Sequence, residues 1–406
     1  MNAESDHGEL SEEVQMNTQT ENDLSMRAKE AGAVVRRELD DGEAARRLTR
    51  ASLEALREAG LLRLYVPKSL GGLEVDPITC ARLVEEMSEH HSAAGWAVMV
   101  ANAVAWWCAR LPAEGVEEIY AAGADSFVAT AFHPPVTAVD VDGGYRLSGR
   151  ARLASNVHDA SWVMLTAVVA GEGKPADAAP EFIAAIFSPH EAEILDTWRS
   201  LGMRATDSND VEVRDVFVPG RRTFKFMLEY EPNRYYTGPL YRMPALGAAL
   251  APWAATAVAI ASCGIREFRE LAERKTPFSS TVVLRERRGA QYKLGRALAL
   301  YASARSLLYQ SIAEGWERTL ANEAATLEQK TDLLMAAVNA VSSASGVLEL
   351  LYSAAGTTAI YDDNPIERHF RDIQVLKQHG FMSDDRYETI GQVYLGLEPD
   401  LSLVAF

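Results

Sequence analysis

Three polar side chains close together in the middle of the chain are the first candidates for chemistry. Ser155, His158 and Asp159 are the residue types of a hydrolase triad, in which a histidine activates a serine and an aspartate orients the histidine. Residues this close in one loop rarely converge on one proton path, and no G-x-S-x-G elbow presents the serine. We therefore do not expect a hydrolase.

The common metal and nucleotide signatures are missing from the sequence. Cys80, Cys108 and Cys263 are far apart and odd in number, which excludes a C-x-x-C framework and suits a reducing cytoplasm. No G-x-G-x-x-G follows a predicted strand, so no nicotinamide dinucleotide site is expected. His90 and His91 stand at a predicted helix end, where histidines often cap or meet the helix dipole. We expect no metal site and a structural role for both histidines.

The charge balance limits the class of partner. The chain has 406 residues and a formal net charge of −17, with 57 acidic against 40 basic side chains. Phosphate binding needs clustered Lys and Arg, so this balance argues against nucleic acid. The N-terminus lacks the basic and apolar regions of a signal peptide, so the sequence predicts a cytoplasmic protein.

One uncharged stretch, residues 243–265, is long enough to span a bilayer. It contains Pro244, Pro252 and nine alanines but few large apolar side chains, so its transfer into lipid would be weak. We expect a buried helix of a soluble bundle and no membrane partner.

Hydrophobic periodicity divides the chain into four segments. Residues 1–22 are polar and acidic without periodicity, which is typical of a flexible tail. A helical pattern predicts an all-α domain over 23–124, and alternation predicts a central β domain over 125–235. The Ala- and Leu-rich remainder, 236–406, predicts a four-helix bundle, so the fold class is α+β. The predicted strands cover 137–141, 145–153, 162–169, 181–187, 193–196 and 211–218, and the last helices cover 243–272, 284–320, 326–356 and 365–379.

A series of motifs, in this order along the chain, resembles the acyl-CoA dehydrogenase superfamily. Two of them resemble the flavin-facing strand pair and the next β signature, and a third is similar to a helix-start segment that meets a flavin across a subunit interface. The motifs are Asp142 to Arg150, Leu153 to Asn156, Trp198 to Ser208, Glu273 to Thr276 with Phe278 and Gln291, Ala355 to Thr357, and Arg371-Asp372.

The resemblance implies an acyl-CoA dehydrogenase-like fold: an N-terminal helical domain, a central β domain and a C-terminal four-helix bundle, assembled as a homotetramer. It also implies that Ser155 presents its hydroxyl to the N5 and O4 edge of a flavin, and that Arg274 contacts a flavin bound mainly by a neighbouring subunit. The implied flavin contacts are Phe132, His133, Ser155, Asn156, Arg274, Phe278, Gln291, Gly356 and Thr357.

The residues then separate the branches of that superfamily. An acyl-CoA dehydrogenase needs a carboxylate base to remove an α-proton, and the resemblance places it at one of two positions. At the first position, after Arg371-Asp372, the residues Lys377 to Gly380 include no glutamate. For the second position, the chain has no Asp or Glu between Glu231 and Glu267. His379 stands near the first position. This pattern resembles the two-component flavin-dependent (group D) monooxygenases that are built on the same scaffold.

In that branch, reduced flavin and oxygen give a C4a-hydroperoxide that transfers oxygen to an aromatic ring, sulfur or nitrogen. A neutral imidazole can take a proton from the substrate or hydrogen-bond the hydroperoxide without adding fixed negative charge. We therefore expect His379 and Ser155 to be catalytic and Trp96 to line the substrate pocket. The alternatives are helix-end stabilisation for His379, a turn serine at 155 and simple packing for Trp96.

The predicted function is that of a reduced-flavin-dependent monooxygenase acting on a small aromatic or N/S-containing substrate. Its cofactor would be reduced FMN or FAD, with molecular oxygen as cosubstrate. Its partner would be a separate NAD(P)H:flavin reductase, because the chain has no dinucleotide motif. Two alternatives stay open: an acyl-CoA dehydrogenase or oxidase with an unlocated base, and a non-catalytic bundle protein.

Overall fold

The computed structural model describes residues 22–170, 180–225, 230–278, 280–401 and 404. The predicted acidic tail lies outside them except for Asn22, which begins the first helix. The α-helices before the sheet are α1 (22–37), α2 (Leu39–Ala45), α3 (Arg50–Glu58), α4 (Pro77–His90), α5 (Ser92–Trp107) and α6 (Ala113–Ile119).

Helices α4 and α5 follow each other with one residue between them. The Asp76 carboxylate caps α4 by accepting the backbone N–H groups of Ile78 and Thr79, both at 2.9 Å, and proline fills the first helical position. His91 is the extended residue between the helices, and its ring accepts the N–H of Ala93 to cap α5. All sixteen residues of α5 are buried, which accounts for its apolar sequence on every face.

The central domain is one mixed seven-stranded sheet in the order β5-β6-β2-β1-β3-β4-β7. A two-residue turn at Asp142-Gly143 joins its first two strands as the predicted antiparallel hairpin, and Gly143 has φ of 80°, which glycine adopts without strain. β1 also pairs in parallel with β3. The strands are β1 (Val128–Val141), β2 (Gly144–Ala154), β3 (Trp162–Val169), β4 (Phe182–Phe187), β5 (Glu193–Leu195), β6 (Asn209–Pro219) and β7 (Thr223–Lys225).

The C-terminal helices pack around the apolar stretch that the sequence presents as a buried helix. A π-helical turn, Leu246–Leu250, leads into α7, which packs on α4, α9 and α10. Three of the described helical segments are long and apolar enough to cross a membrane, and most of each is buried inside the protein. The helices are α7 (Ala251–Arg274), α8 (Arg288–Leu320), α9 (Leu327–Ala355), α10 (Pro365–Leu376) and α11 (Arg386–Tyr394).

The buried carboxylate of Asp372 joins the three parts of the molecule. One oxygen accepts the hydroxyl of Ser92 at 2.5 Å, at the start of α5, and the other accepts the backbone N–H of Met203 at 2.6 Å, in the loop before β6. Glycine is required beside that loop, because a Cβ on Gly202 would lie 2.4 Å from the backbone carbonyl of Arg371. Asp372 thus fixes the β domain against α5 and α10.

Candidate active site

His379 lies in the turn after α10, within a group of aromatic rings. Its ring centroid is 4.7 Å from that of Trp253, 5.5 Å from that of Trp96 and 5.7 Å from that of Phe381. Burial lowers the pKa of His379 to about 4, because the rings around it replace the water that would stabilise the charged imidazolium. The imidazole is therefore neutral at pH 7.

The backbone near His379 also selects one tautomer of the ring. The N–H of Phe381 donates to Nδ1 at 3.4 Å, which requires an unprotonated Nδ1 and places the proton on Nε2. Among the described residues, no side chain or backbone group is hydrogen-bonded to Nε2. The ring is therefore set to donate from Nε2 before any proton is transferred, which favours the hydrogen-bonding role over the proton-acceptor role.

Ser155 follows the last residue of β2 and belongs to a chain of hydroxyl groups. The indole N–H of Trp96 donates to Ser155 Oγ at 3.0 Å, and Ser155 Oγ lies 2.8 Å from Ser208 Oγ. Ser208 Oγ lies 2.7 Å from Thr206 Oγ1, which donates to the carbonyl oxygen of Met203 at 2.9 Å. Trp96 therefore contacts both predicted catalytic residues, His379 through its ring and Ser155 through its N–H.

The backbone around this hydroxyl chain is strained. Of the eight non-glycine residues with positive φ in the described chain, four lie here: Leu153, Asn156, Met203 and Asp207, with φ between 51° and 66°. Left-handed conformations cost free energy in non-glycine residues and cluster at functional sites. Two segments, 153–156 at the end of β2 and 203–207 before β6, hold the hydroxyl groups in place at that cost.

Asn156 has the properties expected of a cofactor contact. Its backbone N–H donates to the carbonyl of Thr206 at 2.7 Å, and this hydrogen bond joins the two strained segments. Its side chain is 1% exposed, yet the amide Nδ2 has no hydrogen-bond partner among the described residues. A buried donor without a partner costs free energy, so this amide fits a ligand that carries an acceptor atom, as a flavin ring does.

The three residues with triad chemistry do not form a triad. His158 Nδ1 lies 2.8 Å from Asp207 Oδ1, and the side chain of Asp159 accepts from Arg47 at 2.6 Å. Ser155 is bonded to Ser208 and Trp96 instead.

Of the two predicted flavin contacts in strand β1, Phe132 and His133, only Phe132 reaches the aromatic rings around His379. The Phe132 ring is partly buried, with its centroid 5.8 Å from that of Phe381. His133 is exposed and precedes a cis peptide bond to Pro134. Phe132 is therefore continuous with the rings around His379.

Three of the remaining predicted flavin contacts, Phe278, Gly356 and Thr357, line a cavity of about 420 Å³. Phe278 is 99% exposed, and Arg274 is also exposed. The Gln291 amide donates to the carbonyl of Arg285 at 3.0 Å, at the start of α8. The residues that line this cavity do not include Ser155, Asn156 or His379.

The sequence-based prediction missed two parts of the site. Trp253, buried beside His379, lies in the stretch judged only for its hydropathy, where it is the one tryptophan among nine alanines. Ser208 and Thr206 lie in a recognised motif, but nothing in the sequence indicated that they meet Ser155. The isolated tryptophan was a usable signal, whereas the hydroxyl chain depends on contacts between β2 and the loop before β6.

Comparison with known proteins identifies the family. Residues 21–129 match the family model described as acyl-CoA dehydrogenase, N-terminal domain, and residues 251–384 match acyl-CoA dehydrogenase, C-terminal domain. Together they account for more than half of the chain. The chain therefore belongs to the acyl-CoA dehydrogenase superfamily.

Its relatives within that superfamily include flavin-dependent oxygenases. The chain is 29% identical to indole-3-acetate monooxygenase of Pseudomonas putida, over 90% of this chain and 91% of that protein. It is 26% identical to the oxygenase subunit HsaA, a flavin-dependent monooxygenase of Rhodococcus jostii (strain RHA1), over 89% and 96%. Its fold matches XiaF from Streptomyces sp. in complex with FADH2 and glycerol, with a TM-score of 0.89, 24% identity and coverage of 96% and 99%. The predicted acyl-CoA dehydrogenase-like α+β fold is confirmed.

Proposed function

We propose that the chain is the oxygenase component of a two-component flavin-dependent monooxygenase. The observation that carries the proposal is the neutral imidazole of His379, partly buried against three aromatic rings, in the region where the superfamily's dehydrogenases need a carboxylate. An imidazole with a pKa of about 4 is a poor base for an α-proton but a good neutral hydrogen-bond partner for a reacting oxygen.

The main alternative, an acyl-CoA dehydrogenase or oxidase, needs a carboxylate near the same rings. Burial is the cause of the lowered pKa of His379, with no charged neighbour contributing among the described residues. No Asp or Glu in that part of the chain is hydrogen-bonded or ion-paired to Trp96, Trp253 or His379. The bonded neighbours of these three rings therefore give no support to the alternative.

The ring-lined surroundings support an aromatic substrate. Neighbouring rings have centroids 5.7 to 6.1 Å apart in three pairs: Trp96 with Trp253, Trp253 with Phe381, and Phe381 with Phe132. Aromatic pairs at such spacings attract each other beyond their buried area, so a substrate ring placed against this group would gain the same attraction. Indole-3-acetate monooxygenase and a resorcinol hydroxylase oxygenase component are among the relatives, and their names point to aromatic substrates of similar size.

The cofactor in this proposal is reduced FMN or FAD, with molecular oxygen as cosubstrate. When bound, the reduced flavin supplies the electrons that activate oxygen. The residues at hand fit it: Asn156 offers an unused donor, Ser155 offers a hydroxyl, and Phe132 offers a ring that contacts Phe381. The absence of a dinucleotide motif assigns flavin reduction to a separate reductase, which the relatives named as oxygenase subunits also imply.

The decisive experiment supplies reduced flavin and isotopically labelled oxygen to the purified chain. With a flavin reductase, NADH and a panel of phenols and indoles, we expect one labelled oxygen atom in the product; without the reductase, NADH should not be consumed. Flavin reduction by an acyl-CoA ester would establish the alternative instead. Failure to bind flavin in either redox state would support a non-catalytic protein.

We also propose the homotetramer that the resemblance implies, with a subunit interface at the cavity beside Phe278. The Phe278 ring is 99% exposed in the single chain, and Arg274 lies four residues before it on the same segment, so a neighbouring subunit placed here would cover both. Arg274→Ala should weaken flavin binding without unfolding the chain, because a guanidinium suits the phosphate of a flavin nucleotide. Arg269→Ala, an exposed change on the same helix, is the matched control. Equal flavin affinity in both variants would remove Arg274 from the site.

A further inference from the structure

The hydroxyl chain that ends at Ser155 has only one consistent arrangement of protons. The carbonyl of Met203 can only accept, so the single proton of Thr206 is committed to it. The 2.7 Å contact between Thr206 and Ser208 is then a hydrogen bond only if Ser208 donates, and the 2.8 Å contact between Ser208 and Ser155 only if Ser155 donates. The indole N–H of Trp96 can only donate, and it meets Ser155 as an acceptor.

Ser155 therefore has no proton left to offer a ligand, but it has a lone pair. A serine hydroxyl has one donor and two acceptor positions, of which Ser208 takes the donor and Trp96 takes one acceptor. The Met203 carbonyl sets the direction of the hydroxyl chain, and the Trp96 indole fills one acceptor position of Ser155. Ser155, Ser208 and Thr206 are 7%, 5% and 1% exposed, so water does not readily replace these bonds.

We propose that Ser208 and Thr206 hold Ser155 as a hydrogen-bond acceptor and thereby make the site selective for reduced over oxidised flavin. The inference rests on the proposed function, in which Ser155 lies at the flavin N5 edge. Reduced flavin carries a proton on N5 and can donate to Ser155. Oxidised flavin has an unprotonated N5 that needs a donor, which the intact chain withholds. Without the hydroxyl chain, the Ser155 hydroxyl could rotate and either accept from reduced flavin or donate to oxidised flavin.

The test is a pair of anaerobic titrations that measure the dissociation constants of reduced and oxidised flavin for each variant. Ser208→Ala removes the acceptor for the Ser155 proton and frees it for oxidised flavin. We expect the ratio of oxidised to reduced dissociation constants to fall about ten-fold, since one neutral hydrogen bond is gained on the oxidised side alone. Thr206→Val should act in the same direction, because Ser208 could then donate to Ser155.

A matched control separates this effect from the general loss of a buried hydroxyl. Thr331 is fully buried on α9, and its hydroxyl donates to the carbonyl of Leu327 at 2.8 Å, as Thr206 donates to Met203. Thr331→Val should leave both flavin dissociation constants unchanged. Thermal unfolding of each variant establishes that it is folded before titration.

The outcomes separate the inference from the proposed function. If Ser155→Ala leaves both flavin affinities unchanged, Ser155 does not contact flavin and that part of the proposed function is wrong. If Ser155→Ala weakens reduced flavin but Ser208→Ala and Thr206→Val keep the wild-type ratio, Ser155 stays at the flavin and the orienting role of the chain is overturned. An equal loss of both affinities in Ser208→Ala would also overturn it, because that pattern reflects structural damage.

Discussion

The two sides of Trp96 control protons by different physical means. On one side, Ser155 makes every hydrogen bond that its neighbours allow, and the chain through Ser208 fixes the direction in which its proton points. On the other side, His379 is surrounded by rings, and burial fixes its charge instead. Hydrogen bonds determine orientation and desolvation determines protonation, so one site holds a fixed acceptor beside a neutral imidazole.

The largest effect is expected from removing the imidazole. His379→Ala should lower the rate of product formation by about 10² to 10⁴-fold, the usual contribution of a positioned acid–base group. Oxygen uptake should continue with release of hydrogen peroxide, because the Ser155 side is intact. Product and peroxide are measured together in the reductase-coupled assay.

Another histidine supplies the control for that change. His190 is exposed at the edge of the sheet domain, and His190→Ala should keep wild-type coupling of oxygen uptake to product. Near-normal coupling in His379→Ala would leave His379 as a helix-end residue, with a stability effect of about 1 kcal/mol. The two outcomes differ by far more than assay error.

The second prediction uses the lowered pKa of His379 as a measure of its burial. The folded pKa is about 4 and the unfolded value about 6.5, so between these values the unfolded chain binds more protons at this residue. Stability is therefore complete above about pH 6.5 and falls as the pH drops toward 4, by at most about 3 kcal/mol from His379. His379→Gln removes that contribution because an amide does not titrate.

Denaturant unfolding of wild type and His379→Gln at pH 7.5 and pH 5 checks this expectation. The difference in unfolding free energy between the two proteins should shift in favour of the variant at the lower pH. All other titrating groups, including buried His91, are present in both proteins and cancel. A difference that does not vary with pH would mean that His379 is solvated and that the two sides of the site are not distinct.

Much of this architecture could be predicted because local patterns determine it. Strand β3 has the predicted bounds, and α9 differs by one residue at each end, since both are uninterrupted periodic segments with clear boundaries. The predicted strand from residue 137 proved to begin at Val128, because Pro134 and Pro135 interrupt the alternation without ending the strand. Similarly, a π-helical turn precedes α7, where Pro252 follows closely.

The site was harder to predict than the fold because its members meet through tertiary contacts. The predicted helix over 365–379 ends at Leu376, which leaves His379 in a turn where it can meet Trp253. Single residues were identified by their resemblance to a motif, as with Ser155. Their partners were not, because no local pattern links Ser208 or Trp253 to them.

The smallest predicted effect tests whether the two sides of Trp96 are separable. Trp96→Phe removes the indole N–H that binds Ser155 but keeps an aromatic face toward His379. The carbonyl end of the hydroxyl chain still orients Ser155, so flavin selectivity should persist and coupling should change by no more than a few-fold. The loss of one neutral hydrogen bond should cost about 0.5–1.5 kcal/mol of unfolding free energy.

Trp106→Phe is the matched control, because its buried indole on the same helix donates to the carbonyl of Leu240 at 3.1 Å. Trp96→Leu, which removes the ring as well, should lose coupling much more strongly. If Trp96→Phe and Trp96→Leu lose coupling equally, the N–H rather than the ring supports His379, and the division of the site into a hydrogen-bonded side and an aromatic side is wrong.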